Sequence, residues 1–433
     1  MENQTLIEEE QNLSKEEKEL QRKKENNIKT YTIYRIFSWD LLFYYAIIYL
    51  FLTIEKKISP AQVLQFDAFY LLAKFVMQIP CTLFIQKFGK KKSLVVANLI
   101  GAIHVLFIIF APNFMILLLS QLLCAFSFII KATCDTDMLY DSLEHNEKRG
   151  GIFAKIDGKA VSKFYYVDAI SAIFSGFLYV INPYIPMVLC FLTFILTFWL
   201  STKFEEIHPE KGRMHIREEI RTIRYGFKNI FKSNRLKSLL LFNAIFVGIV
   251  KIMNNLRNTI LVKVGLPQAY FGILFAVMGI TLGISTRFQG KIHNRFRNRT
   301  LTFLAMPMVL SCILMGFIML FNFNKEVSIA MVILLLVVQC IVRGPYYVLI
   351  KRYFNNFTNS SKRIKISTTN NLCENAIASI LVFLASFILD FVSVEYTTLI
   401  IGFIFLIIFI LLLDSMKKTV GLKPEEYNKK EIL

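Results

Sequence analysis

Apolar residues along this chain gather into long unbroken blocks separated by short polar segments. Twelve blocks can be drawn, with approximate limits 31–53, 66–86, 94–110, 114–140, 162–181, 185–200, 237–260, 269–287, 300–321, 327–350, 367–389 and 396–413. A run of roughly 17–25 apolar residues spans about 30 Å of hydrocarbon as a helix. Barrel strands would instead alternate with period two over about ten residues. The pattern therefore predicts an all-α integral membrane protein with twelve transmembrane helices. The polar stretch 203–236 separates two groups of six, so the expected organisation is a tail (1–30), a six-helix bundle (31–202), a linker (203–236), a second bundle (237–414) and a tail (415–433). Within the linker Ile216, Ile220, Ile223, Phe227 and Phe231 recur at helical spacing among arginines and lysines. That spacing predicts a cationic amphipathic helix lying on an anionic membrane surface.

Composition agrees with this pattern: of 433 residues 55% are hydrophobic and only 19% charged. The net charge of +19 would suggest nucleic acid until its distribution is examined. With the N-terminus cytoplasmic and the blocks alternating, 41 Lys and Arg fall in cytoplasmic segments or the block edges beside them and five in or beside external ones. This bias is the positive-inside rule, so both termini are expected on the cytoplasmic side of a cell membrane, and no nucleic-acid partner is implied. The first 29 residues are polar and lack the apolar centre of a cleavable signal. The seven cysteines all lie inside apolar blocks without a CxxC pair, and the five histidines lack metal spacing, so no metal or cofactor is expected.

The two halves resemble each other. The segment 58–69 leads into block 2 as 265–276 leads into block 8, Lys131 in block 4 has its counterpart in Arg343 of block 10, and "VDAISAI" (167–173) matches "ENAIASI" (374–380). These matches keep one order at offsets of roughly 207–214, which predicts a parallel six-plus-six repeat with a substrate site near the midplane.

Charges inside the blocks mark that site. Asp40, Lys74, Lys131, Asp168, Lys251, Arg343 and Glu374 fall near helix centres. Each costs about 2.5–3.5 kcal/mol against lipid, and seven together cost on the order of 20 kcal/mol. That exceeds the stability of a typical domain, so they are expected to face inward, pair, or line a polar cavity. Lys131 and Asp135 are four apart and could pair on one helix face. Gly272, Gly279 and Gly283 form a small-residue stripe suited to a close helix contact.

The segment "QIPCTLFIQKFGKKKSLV" (78–95) resembles the loop between helices 2 and 3 of the major facilitator superfamily, usually G-x-L-x-D-[RK]-x-G-[RK]-[RK]. Lys87, Gly89, Lys90 and Lys91 match, while Thr82 replaces the first glycine and Gln86 the acid. A second, degraded copy is "GKIHNRFRNRTL" (290–301), with Asn294 at the acid position. The resemblance implies a cytoplasmic gating role for this loop, and it implies that the helices carrying the inner charges line a central cavity. Together these readings predict a secondary transporter of bacterial type. It would move a small organic solute, anionic, zwitterionic or amphipathic, by alternating access as a monomer among membrane lipids, with protons as the coupling ion. A multidrug or lipid-like efflux carrier and a non-transporting sensor with the same fold stay open as alternatives. An enzyme is not expected, because "KIDGKAVS" (155–162) lacks the first glycine of a phosphate-binding loop and the chain shows neither a nucleophile–base pair nor a metal cluster.

Overall fold

Side-chain caps at Ser59, Asn113 and Ser233 set the starts of three of the long helices. The computed structural model describes residues 15–144, 149–207, 216–321, 323–356 and 363–419; the ends of both tails and residues 208–215 of the linker lie outside these. Helices α1 (Lys15–Ser38), α2 (Pro60–Phe88), α3 (Lys90–Phe110), α4 (Phe114–Ser142), α5 (Arg149–Ile181) and α6 (Tyr184–Thr202) form the first group. After the linker helix α7 (Ile216–Lys232) come α8 (Asn234–Lys263), α9 (Tyr270–Thr286), α10 (Gln289–Phe296), α11 (Thr300–Leu320), α12 (Lys325–Asn356), α13 (Arg363–Phe391) and α14 (Val394–Thr419). Ser59 starts α2 with a reciprocal capping box to Gln62, followed by Pro60 in the first turn, where its missing N–H is harmless. Asn113 accepts from the Ile116 N–H to cap α4. Lys56 donates to the carbonyls of Ile109 and Ala111 at the end of α3, a cation set at the negative pole of that helix.

Among the described residues ten helices are long and apolar enough to cross a membrane, and α9 with α10 makes an eleventh span bent by 56°. The expectation of twelve continuous spans needs one correction. The block 31–53 is broken: α1 stops at Ser38, and helix resumes only at Ile48–Leu50, passing into a π-helical turn at Phe51–Glu55. Asp40 explains much of the break, because its Oδ1 accepts the Leu41 N–H that a helix would use for its own ladder. Phe43 takes a left-handed φ of 61°, and its N–H donates to Ser171 Oγ of α5 at 3.4 Å. Irregular backbone survives at membrane depth only when protein or a wet cavity satisfies it, and here α5 does so.

The packing repeats between the groups. α3 packs on α4 and α6, and α2 on α4; correspondingly α11 packs on α12 and α14, and α9 on α12. The two groups meet through α2 with α13 and through α5 with α9. At the α5–α9 crossing a Cβ on Gly272 would overlap the Ala172 carbonyl, and one on Gly176 would come within 2.7 Å of the Ala269 carbonyl. Gly279 and Gly283 continue the Gly272 stripe yet would meet nothing within 4 Å. The small-residue stripe is thus a close contact only at its start. The α5–α9 contact is tightest at Gly176 and Gly272, and space is left along α9 at Gly279 and Gly283, towards the N-terminal face.

The linker helix α7 contacts α8 and α13 of the second group and α2 of the first. Ile230 is fully buried and Phe227 packs against the core, while Phe231 stays exposed. Part of its apolar face is therefore spent on the bundle rather than on lipid; the side chains of Ile216, Ile220 and Ile223 lie outside the described residues.

Candidate functional site

The inner charges fall into three groups. The first surrounds the break in α1. Asp40 sits at the break, half-buried, accepting from the Leu41 N–H at 2.9 Å and from the Tyr45 hydroxyl at 2.8 Å. Lys74 of α2, Lys131 of α4 and Asp168 of α5 all lie within its electrostatic reach. Lys131 is only 3% exposed, its Nζ 4.8 Å from the Phe128 ring centre and 4.9 Å from that of Phe194. Two ring faces stabilise a cation that has little water. Lys131 therefore sits inside the first group beside the break rather than on an open wall.

Lys131 does not form an ion pair with Asp135, its neighbour one turn on. Asp135 pairs instead with Arg35 of α1, and the Arg35 Nε lies 3.2 Å from Asp157 Oδ1 of α5. Tyr31 donates to the same Asp157 oxygen at 2.6 Å, and the Arg35 guanidinium lies over the Trp39 ring. This cluster ties α1, α4 and α5 together immediately before the break.

The second group spans both halves. Lys74 lies within reach of Lys251 of α8 and Glu374 of α13, and Lys251 within reach of Asp67 of α2. Asn255 lies beside Asp67, and Asn243 donates to Glu374 Oε2 at 2.9 Å while its own carbonyl accepts from the buried Tyr346 hydroxyl. Ser379 of α13 donates to the Ala68 carbonyl of α2 at 2.7 Å, so the halves touch directly beside these charges.

The third group is Arg343 of α12, apart from the others. Its Nη1 donates to Asn254 Oδ1 of α8 at 2.9 Å, and its Nε is buried without a partner.

The loop between α2 and α3 is anchored by the start of the linker and by α4. Gly89 adopts a φ of 83°, open to glycine at little cost. A Cβ there would lie 2.6 Å from the Glu206 carboxylate, which accepts the Lys90 N–H at 2.9 Å. Lys90 Nζ reaches Asp141 at 2.7 Å and Asp137 at 3.7 Å. Lys87 lies over the Phe88 ring, and Lys91 occupies the first turn of α3. Glu206 thus brings a carboxylate to the loop where Gln86 does not.

Asp67, Arg35, Asp157 and Glu206 were not singled out from sequence. Asp67 and Arg35 lie at the edges of apolar blocks, where charge reads as interfacial. A signal for Arg35 was available: it is one helical turn from Tyr31 and Trp39, whose polar tips and rings suit a buried guanidinium. Among the described residues no group of three His, Cys, Asp or Glu is arranged to hold a metal.

Residues 33–325 match the family model described as Major Facilitator Superfamily. The MFS-type transporter YxaM of Bacillus subtilis (strain 168) is 23% identical over 255 residues, covering 57% of this chain; the aligned region spans 62% of that relative's length. Among solved structures, the nucleoside transporter NupG superimposes with a TM-score of 0.70 at 11% identity, over 93% of this chain and 100% of that one. A POT family transporter in complex with 5-aminolevulinic acid gives 0.67 at 11% identity, over 92% and 95%. A bacterial homologue of the human lysosomal transporter Spinster, inward-facing and unoccupied, gives 0.65 at 14% identity, over 94% and 99%. At these identities the structural likeness speaks for the fold.

Proposed function

The chain belongs to the major facilitator superfamily, and on that premise we propose that it is a secondary transporter moving a small organic solute by alternating access. One observation carries this reading: charges from both halves come together where α2 meets α13, with Lys74 of α2 within electrostatic reach of Lys251 of α8 and Glu374 of α13. Charges held between two repeats cost too much to keep for structure alone, and they change partners when the halves rock. The empty space along α9 beyond Gly272 supports an opening on the N-terminal face. The excess of Lys and Arg in that face's segments supports assigning it to the cytoplasm, which in this reading makes the conformation inward-facing. Cysteines added at 57–60 and 210–215 are expected to label from outside and inside respectively, and the reverse pattern would overturn the orientation.

Protons are the proposed coupling ion, with Asp40, Asp168 and Glu374 as carriers. Asp40 lies near Lys74 and Lys131, Glu374 near Lys74 and Lys251, and Asp168 near Asp40, so movement of these neighbours alters the proton affinity of each acid, and linkage then makes protonation alter substrate affinity by the same factor. Arg343 is the substrate contact in this reading. Lys131, enclosed by Phe128 and Phe194, acts on Asp40 rather than on solute. A thermal-shift screen against metabolites and drugs selects the solute, and proteoliposomes then compare Asp40→Asn, Asp168→Asn and Glu374→Gln. At least one variant is expected to keep counterflow exchange while losing accumulation driven by a pH gradient. Retention of accumulation in all three would make the protein a facilitator.

A further inference from the structure

Arg343 is not the only guanidinium in its corner. Arg257 of α8 lies within electrostatic reach of both Arg343 and Cys340 of α12. Its Cζ stacks 3.9 Å from the centre of the Phe275 ring of α9, and its Nε donates weakly to Asn258 Oδ1 at 3.5 Å. Arg343 spends one nitrogen on Asn254 and leaves a buried Nε without a partner. Neither arginine has a carboxylate within ion-pair distance among the described residues.

This arrangement is the opposite of that around Arg35, where one buried guanidinium holds two carboxylates. Two like charges in a low-dielectric site repel, and each pays for lost hydration. Such a pair persists at least cost when an anion lies between its members. Guanidinium forks match planar or tetrahedral oxyanions through paired N–H donors, and Phe275 fixes the plane of one fork.

We propose that Arg257 and Arg343, bounded by α8, α9 and α12, form an oxyanion subsite that takes the carboxylate or phosphate group of an organic solute. The proposal rests on the transport reading above and deepens it, making the solute an organic anion gripped by the second half. By helix rise Arg257 lies about 9 Å inside Lys263, and Gly344 beside Arg343 packs against Leu282, Ser285 and Thr286 further along α9, so the subsite lies within the bundle rather than at its rim.

Benzoate and phenyl phosphate are the probes, with benzyl alcohol as the neutral control. On the wild-type protein in detergent, phenylglyoxal modification of Arg257 and Arg343 is followed by peptide mass spectrometry. Either anion is expected to slow modification of both residues together at least fivefold, with benzyl alcohol inert; which anion acts at lower concentration assigns carboxylate or phosphate. Thermal shifts then compare Arg257→Gln and Arg257→Lys: the anion-dependent shift is expected to vanish in the first and to need at least tenfold more anion in the second. Arg257→Lys carries the test if Arg257→Gln does not fold. Equal protection by benzyl alcohol, no protection by either anion, no modification of either arginine, or anion-dependent shifts unchanged in the variants would overturn the subsite. Flux of the screened solute in proteoliposomes separates the two failures: flux without anion protection removes the subsite and keeps the transporter, whereas no flux of any solute removes the transporter.

Discussion

Replacing Arg35 is expected to be the most damaging single change in the first bundle. Its side chain is 7% exposed, that of Asp135 is 1% exposed, and that of Asp157 is 24% exposed. Arg35→Met removes the cation from both acids at once. Asp135 then has no counter-charge at ion-pair distance and no water, the situation that costs about 3–5 kcal/mol when one partner of a buried pair is deleted. Asp135→Asn is milder, because Arg35 keeps Asp157 at 3.2 Å and loses one charge-assisted hydrogen bond worth about 1.5–3 kcal/mol. Asp157→Asn is mildest, its oxygen being partly hydrated. The double variant Arg35→Met with Asp135→Leu removes both buried charges and is expected to recover part of the loss, since apolar replacements of buried pairs are often neutral or better. The protein carries its own assay: all seven cysteines are free and buried, so a thiol-reactive fluorophore reports unfolding directly. The expected order of Tm is wild type, Asp157→Asn, Asp135→Asn, Arg35→Met, with the double variant above Arg35→Met. An Arg35→Met protein melting within about 1 °C of wild type would refute the reasoning, because it would mean the cluster is hydrated.

Gly272→Val drives a side chain into the Ala172 carbonyl and is expected to lower Tm or folded yield, whereas Gly279→Val meets open space and leaves Tm unchanged; under the rocking reading Gly279→Val nevertheless slows flux, by blocking closure of α5 on α9. Gly89→Ala combines a left-handed φ with overlap on Glu206 and is expected to cost about 1–3 kcal/mol by the same thermal assay; Glu206→Ala, which removes the obstacle, restores part of it in the double variant.

The spans, their alternation and the two-fold repeat were legible in the sequence because each is a property of contiguous residues: about twenty apolar side chains make a membrane helix whatever surrounds them. The resemblance of 78–95 to a family loop was legible for the same reason, and Gly89 does take the backbone conformation that only its local chemistry favours. That the inner charges would avoid lipid is an expectation the sequence alone carries, since lipid makes exposure too costly. Which charge meets which did not. Lys131 and Asp135 share a helix face, yet Asp135 is held by Arg35 from a hundred residues earlier, while Lys131 is held by Phe128 and Phe194. The break at Asp40 was equally hidden: its cost is offset by Ser171, 128 residues away on α5. Gly272, Gly279 and Gly283 are alike along the chain, and only the place where α5 crosses α9 makes the first a contact and leaves the others open. Spans are decided by sums over neighbours in sequence; partners are decided by helix rotation and tilt, which only the assembled bundle sets.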